Sequence, residues 1–202
     1  AYAMLAREIA VEDLPKAYAV WLLAIASLFG LAMSGDAFNL FVFLEISALS
    51  SITLIALGAG QDRRALLAAY NYLIIGAIGA TFYVIGVGYL YAATGSLNLI
   101  DIVDRLNELG TNQAAITGLA FMLAGIMVKA GVFPVHIWLP AAYSYAPSAV
   151  SSLLAAIATK VAIYYFARLL FGIFIDITQL VNFFLLYICL LYTSDAADDL
   201  RG

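Results

Sequence analysis

The sequence predicts an all-α protein, a polytopic transmembrane helix bundle, on three observations. Hydrophobic residues make up 65% of its 202 positions and charged residues only 11%, whereas a soluble domain carries about 25% charged residues. The mean hydropathy is +1.02. The apolar residues also fall into five runs and the start of a sixth, each near the roughly 20 residues an α-helix needs to cross hydrocarbon. For a chain dissolved in lipid, the net charge of -4 says little about partners, because what matters is which loop carries each charge. Nucleic acid is not indicated. No secretory signal with a short apolar core and a small-residue cleavage site is recognisable, and the sequence reads as beginning mid-protein.

Residues 1–16 form a polar lead with Arg7, Glu8, Glu12, Asp13, Pro15 and Lys16. The first span follows from about Ala17 to Ser34 and stops at Gly35-Asp36, a turn so short that the next span must pack antiparallel beside it. The second span is Ala37 to Leu57 and contains Glu45. After a polar loop with Arg63 and Arg64, a third span runs from about Leu66 to Tyr91. Its Gly76, Gly79, Gly86 and Gly88 are too many for a soluble helix but suit membrane helices, where small residues admit close contact.

From Thr94 to Thr111 the chain turns polar. Leu99, Ile100, Val103, Leu106 and Leu109 recur there at helical spacing against Asp101, Asp104, Arg105 and Glu108, which predicts a short interfacial helix. A fourth span, about Ala114 to Val132, carries Lys129 and is interrupted by Pro134. The fifth, about Ser148 to Phe171, has Lys160 near its centre. Proline breaks a helix, and broken backbone at bilayer depth is tolerated only where it is buried in protein or lines a wet cavity. Residues 133–147 are therefore expected to form the functional interior.

Residues 17–174 make one five-helix unit, and residues 175–188 begin a further helix near Gln179. Beyond Ile188 the run Cys189-Leu190-Leu191-Tyr192-Thr193-Ser194-Asp195-Ala196-Ala197-Asp198-Asp199 resembles a translated sequencing adapter. Residues 189–202 are accordingly expected to be an artefact, outside any fold argument. The single cysteine lies in that tail, so no redox or metal argument rests on it.

If the spans alternate, Arg7, Lys16, Arg63 and Arg64 share one side and Arg105 and Arg168 the other. The first side is expected to be cytoplasmic. Arg168, about two turns past Lys160, is expected to snorkel to the interface. Asp36 and Asp62 read as helix-end and loop charges, and Asn39, Asn71, Tyr70 and Tyr72 as interfacial anchors.

Glu45, Lys129 and Lys160 each sit inside a different apolar span. A charge at that depth costs roughly 2.5–3.5 kcal/mol on insertion scales, so such residues usually face the bundle interior and mark an ion path. One acid and two bases point to a proton relay. A lysine in low dielectric releases its proton more readily, and an approaching carboxylate reverses that, which makes a switchable pair. Glu45 also shares its helix with Ser47, Ser50 and Ser51, which can hold water. The bland alternative is a scaffold whose buried charges only fix helix packing. His136 lies seven residues after Lys129; an unbroken helix would put the two on one face, about 10.5 Å apart. An imidazole titrates near neutrality and suits a relay, while a packed interfacial histidine beside Trp138 is an equal alternative.

Three segments carry a family resemblance. Gly35-Asp36-Ala37-Phe38-Asn39-Leu40-Phe41-Val42-Phe43-Leu44-Glu45, Lys129-Ala130-Gly131-Val132-Phe133-Pro134-Val135-His136-Ile137-Trp138-Leu139-Pro140, and Ala146-Pro147-Ser148-Ala149-Val150-Ser151 with Thr159-Lys160-Val161 are similar to the antiporter-like membrane subunits of multisubunit Na+/H+ antiporters and respiratory complex I. That family has fourteen transmembrane helices with two inverted five-helix repeats, a design that suits transport. The resemblance implies that this chain holds the first repeat and the start of the second. It implies that Glu45 and Lys129 form the acid and lysine pair that modulates proton uptake, that Lys160 takes the proton onward, and that His136 belongs to the connecting path. Complex I members usually read Leu-Pro-Asp-Ala-His where this chain has Leu139-Pro140-Ala141-Ala142-Tyr143. That tyrosine and the Gly35 to Glu45 run look more like the D-type antiporter protein or its membrane-bound hydrogenase relatives.

The expected function is therefore proton translocation within a multisubunit Na+/H+ antiporter, in the plasma membrane of a prokaryote. The alternative is a proton-pumping subunit of NADH-quinone oxidoreductase or a membrane-bound hydrogenase. The expected partners are membrane lipid, other subunits, protons and Na+. With no cysteine cluster and no phosphate-cradling glycine loop after a strand, the chain is expected to hold no cofactor, no metal and no catalytic residue of its own.

Overall fold

In a computed structural model of the chain, residues 2–110 and 112–173 are described, and they hold a long helix in each of the first five apolar runs. The sixth span and the 189–202 tail fall outside the described residues. The helices are α1 (Tyr2–Glu8), α2 (Leu14–Met33), α3 (Ala37–Ala56, continued by a 3-10 turn), α4 (Arg64–Thr94), α5 (Leu99–Leu109), α6 (Gln113–Ala130), α7 (Trp138–Tyr145), α8 (Ser148–Leu153) and α9 (Thr159–Arg168). A π-helical turn, Leu154–Ala158, joins α8 to α9. Five segments are long and apolar enough to cross a membrane: Leu14–Met33, Ala37–Gly60, Arg64–Thr94, Gln113–Ala130 and Ser148–Gly172. Large apolar side chains such as Leu22, Phe29, Ile78 and Ile163 are exposed on them, as expected of surfaces that meet lipid rather than water.

The span boundaries differ from the sequence reading for local reasons. The first begins three residues early, at Leu14, because Pro15 is tolerated in a first helical turn. The third reaches Thr94, where Gly95 at φ 71° supplies the left-handed residue that closes a helix. The fourth stops at Ala130 because Gly131 at φ 67° does the same, with the Val132 N–H bonding the Met127 carbonyl at 3.1 Å.

At one end of the bundle Asp36 caps α3, its carboxylate accepting from the Asn39 N–H at 2.8 Å. The neighbouring backbone pairs with the lead-in to α5, Ala37 N–H to the Leu97 carbonyl and Leu99 N–H to the Gly35 carbonyl, each 2.8 Å. The helix α5 buries Leu99, Ile102 and Leu106, while Ile100 is 73% exposed. The i, i+3, i+7 stripe thus starts at Leu99 but runs through Ile102, which the sequence reading left out. The Ser96 hydroxyl first and Arg105 second hold the Asp101 carboxyl below its ordinary pKa. Arg168 does not simply reach for the interface: its Nη1 donates to the Ser34 carbonyl at 2.7 Å, tying the fifth span to the end of α2.

At the opposite end the carboxylate of Glu8 accepts from the Ser148 N–H at 2.7 Å and from the Ser148 hydroxyl, so a residue of the polar lead caps the fifth span. Gln61 donates to the Glu8 carbonyl at 3.3 Å. The lead, the 58–64 loop and the α7–α8 connection therefore share one side, as alternation of the spans requires.

Helix α4 is the hub, packed against α3, α6 and α7. Its closest approach is to α6, where Gly79 lies against Gly125 and Gly86 against Gly118: a Cβ on Gly86 would stand 2.5 Å from the Gly118 carbonyl oxygen. Among the described residues Gly88 has nothing nearby and Gly76 only the Tyr72 ring at 3.8 Å, so half of the expected glycine set makes the α4–α6 contact. The core divides into two clusters. One holds Leu40, Tyr83, Ile102, Met122 and Tyr165; the other holds Ala24, Leu54, Tyr72, Trp138 and Val150.

Tyr83 and Tyr165 tie three helices together. The Tyr83 hydroxyl lies 3.1 Å from the Ala37 carbonyl and 2.7 Å from the Tyr165 hydroxyl. A carbonyl only accepts, so Tyr83 donates to Ala37 and Tyr165 donates to Tyr83. Tyr83→Phe strands the buried Tyr165 hydroxyl and is expected to lower stability in detergent by about 1–3 kcal/mol, read from the unfolding midpoint. An unchanged midpoint would show that this pair does not hold the helices.

Candidate functional site

Between the two clusters lies a cavity of about 20 Å³, room for about one water molecule. Leu44, Glu45 and Ala48 line it from α3, Tyr72, Gly76, Gly79, Ala80 and Tyr83 from α4, and Gly125, Val128 and Lys129 from α6. The glycines explain its position: α4 and α6 meet backbone to backbone, which leaves space only where longer side chains leave the contact. The cavity brings together two of the four residues singled out by sequence.

Lys129 is 8% exposed. It occupies the last turn of α6, where a cation is favoured by the helix dipole. Its Nζ donates to the Tyr72 hydroxyl at 2.8 Å. Glu45, half-buried on the opposite wall, makes no ion pair among the described residues. Acid and base therefore share a cavity without closing on each other.

The break after α6 fixes this arrangement. Gly131 turns the chain, and Trp138 at the start of α7 swings back onto the end of α6. Its indole N–H donates to the Val128 carbonyl at 2.9 Å, satisfying a helix-end acceptor. Its ring stacks on Tyr72 at 4.1 Å with an 11° interplanar angle. Val128, Trp138, Tyr72 and Lys129 thus form a closed circuit around the cavity wall.

His136 and Lys160 do not join the cavity. With α6 ended at Ala130, the shared helical face of Lys129 and His136 does not form. His136 is half-buried in the break, its ring 5.5 Å from that of Phe133, and its Nδ1 is buried without a hydrogen-bond partner among the described residues. Lys160 is exposed on the outer face of α9. Its Nζ folds back to the Ala155 carbonyl at 2.5 Å, within the π-helical turn, where backbone bonding is shifted by a residue.

Sequence reasoning misplaced Tyr72 and left Trp138 without a role. Tyr72 is not an interfacial anchor: it is 1% exposed, whereas Tyr70 is 58% exposed. Their spacing held the signal, since residues at i and i+2 on a helix point about 200° away from each other and cannot both face outward. The serines also differ from expectation. The hydroxyls of Ser47, Ser50 and Ser51 donate to the Leu44, Ile46 and Ser47 carbonyls of their own helix at 2.8, 2.6 and 2.6 Å, and none lines the cavity.

Five apolar spans, the fourth of them broken just after a buried lysine, define a polytopic membrane helix bundle. Residues 34–197 match the family described as NADH:quinone oxidoreductase/Mrp antiporter, TM, and the chain belongs to that family. It is 50% identical over 154 residues to the N-type subunit of the NADH-quinone oxidoreductase of Desulforudis audaxviator, covering 76% of this chain and 30% of that protein. It is 34% identical over 168 residues to the D-type subunit of the Na(+)/H(+) antiporter of Bacillus subtilis, covering 83% of this chain and 34% of that protein. Among solved structures, an archaeal membrane-bound sulfane sulfur reductase, a respiratory membrane complex, aligns with a TM-score of 0.70 at 34% identity over 75% of this chain and 30% of the matched one. The chain spans about a third of the length of these relatives.

Proposed function

We propose that this chain is a proton-translocating segment of a multisubunit Na+/H+ antiporter in a prokaryotic plasma membrane. Its relay groups are Glu45, Lys129, His136 and Lys160, with lipid and companion subunits around it. The observation that carries the reading is Lys129, 8% exposed, placed across a water-sized cavity from Glu45 yet bonded to a hydroxyl. A lysine kept only to neutralise a buried acid would be paired with it, because an unpaired charge in low dielectric is the costly arrangement. A lysine that must take up and release a proton needs a carboxylate within reach but not permanently attached. Lys160, on the outer face of α9, is the onward station, and His136, whose Nδ1 in the break has no hydrogen-bond partner among the described residues, belongs to the path between the two lysines.

Glu45→Gln is expected to slow ΔpH-driven Na+ exchange in vesicles about tenfold, the effect of about one unit in a proton-release constant, with assembly unchanged. Full-rate exchange would remove Glu45 from the relay, and loss of assembly would favour the scaffold. A second reading, a redox-driven proton pump, draws on the 50% identity to an NADH-quinone oxidoreductase subunit. Vesicles carrying the complete complex separate the two, because only the pump acidifies the lumen when a redox substrate is added.

A further inference from the structure

We propose that Tyr72 is a positioning residue for Lys129, holding the amine away from Glu45 in both of its protonation states. The inference rests on the relay reading above and adds to it a residue on a different helix. The Tyr72 hydroxyl is the hydrogen-bond partner of Lys129, at 2.8 Å, and the Tyr72 ring is stacked on Trp138. Trp138 in turn is fastened to Val128, next to the lysine, through its indole N–H.

The choice of a phenol has a chemical consequence. An ammonium has only donors, so it gives a hydrogen bond to the phenol oxygen; a neutral amine has a lone pair and receives the phenol O–H instead. One hydroxyl rotation therefore keeps the same two atoms bonded before and after the proton leaves. A carboxylate lacks that property, since it attracts the ammonium strongly and has no proton to offer the amine. With Glu45 alone the lysine would be charged and held, or neutral and released. Tyr72 supplies a resting place in which Lys129 discharges without changing position, and the α6 break fixes where that place is.

The titratable groups facing the cavity with Lys129 are Glu45 from α3 and Tyr72 and Tyr83 from α4; His136 and Tyr143 belong to the break and to α7. The test is Tyr72→Phe in the full-length protein with its companion subunits, reconstituted in vesicles, with Lys129→Ala as the reference for a lost relay. Phe keeps the ring that stacks on Trp138 and removes only the hydroxyl. Assembly is expected to match wild type, the transport rate to fall about tenfold, and the pH of half-maximal transport to rise, because an ammonium left against a carboxylate gives up its proton less readily. Adding Glu45→Gln to Tyr72→Phe is expected to cancel that rise. A Tyr72→Phe protein with wild-type rate and pH profile overturns the inference, as does one with lost assembly and an unmoved profile. If Lys129→Ala itself transports at the wild-type rate, the relay reading fails as well; if Lys129→Ala is inactive and Tyr72→Phe is normal, only the role of Tyr72 falls.

Discussion

Lys129→Ala is expected to lower ΔpH-driven transport by the full-length protein at least about 100-fold, the scale of losing a positioned proton-transfer group, while the protein still inserts and assembles. Two features argue that function suffers before folding does. Glu45 is half-buried and unpaired with Lys129, so removing the lysine does not strand a fully buried partner charge, the situation that makes breaking an ion pair costly. The Tyr72 hydroxyl does lose its bond, at about 1–3 kcal/mol, but the ring keeps its stack on Trp138. The measurement is initial-rate Na+ exchange under an imposed ΔpH, normalised to assembled protein. Wild-type exchange would sink the relay, and a protein that fails to assemble would return the buried charges to a packing role. Lys129→Gln, which keeps a donor for Tyr72 but has no proton to release, separates the two outcomes: normal assembly with transport as low as in Lys129→Ala is the expected result.

What the sequence makes legible is what the bilayer constrains most. The length of an apolar run fixes a span, a charge inside it is conspicuous by its cost, and Gly35-Asp36 can only be a tight turn. What it hides is direction around the helix axis. Glu45 and Lys129 turn toward one cavity and Lys160 turns away, and in a helix apolar on all faces no hydrophobic stripe announces which side is inside. Tyr72 was obscured for the same reason: a tyrosine within a few turns of a span end looks like an interfacial anchor until the helix rotation is known. The break was foreseeable from Pro134, but the residue that ends the helix is Gly131. The consequence, Trp138 folded back against Val128 and Tyr72, is a tertiary contact no local rule specifies.

Gly125→Leu is expected to abolish assembly of the folded protein. Gly79 and Gly86 on α4, and Gly118 and Gly125 on α6, are each spaced by seven residues, which is two helical turns, so both pairs fall on one face, about 10.5 Å from each other. The antiparallel helices match the pairs crosswise, and a Cβ on Gly125 would meet the Tyr83 backbone N at 2.8 Å. The obstacle is backbone, which no rotamer change clears. Overpacking a core costs about 1–3 kcal/mol even where side chains can yield, and here four carbons would have to push aside spans whose association rests on van der Waals contact. Gly88→Leu places the same side chain on the facing span, α4, with nothing within 4 Å among the described residues, and is expected to leave assembled yield unchanged in a detergent-resistance assay. Equal yields for the two variants would show that α4 and α6 are not held at the distance the glycines allow. The milder Gly125→Ala connects this contact to the site. Val128 packs on Gly79 while the next residue, Lys129, reaches Tyr72, so separating the helices by even a methyl group lengthens the Lys129–Tyr72 bond, and transport is expected to fall before yield does.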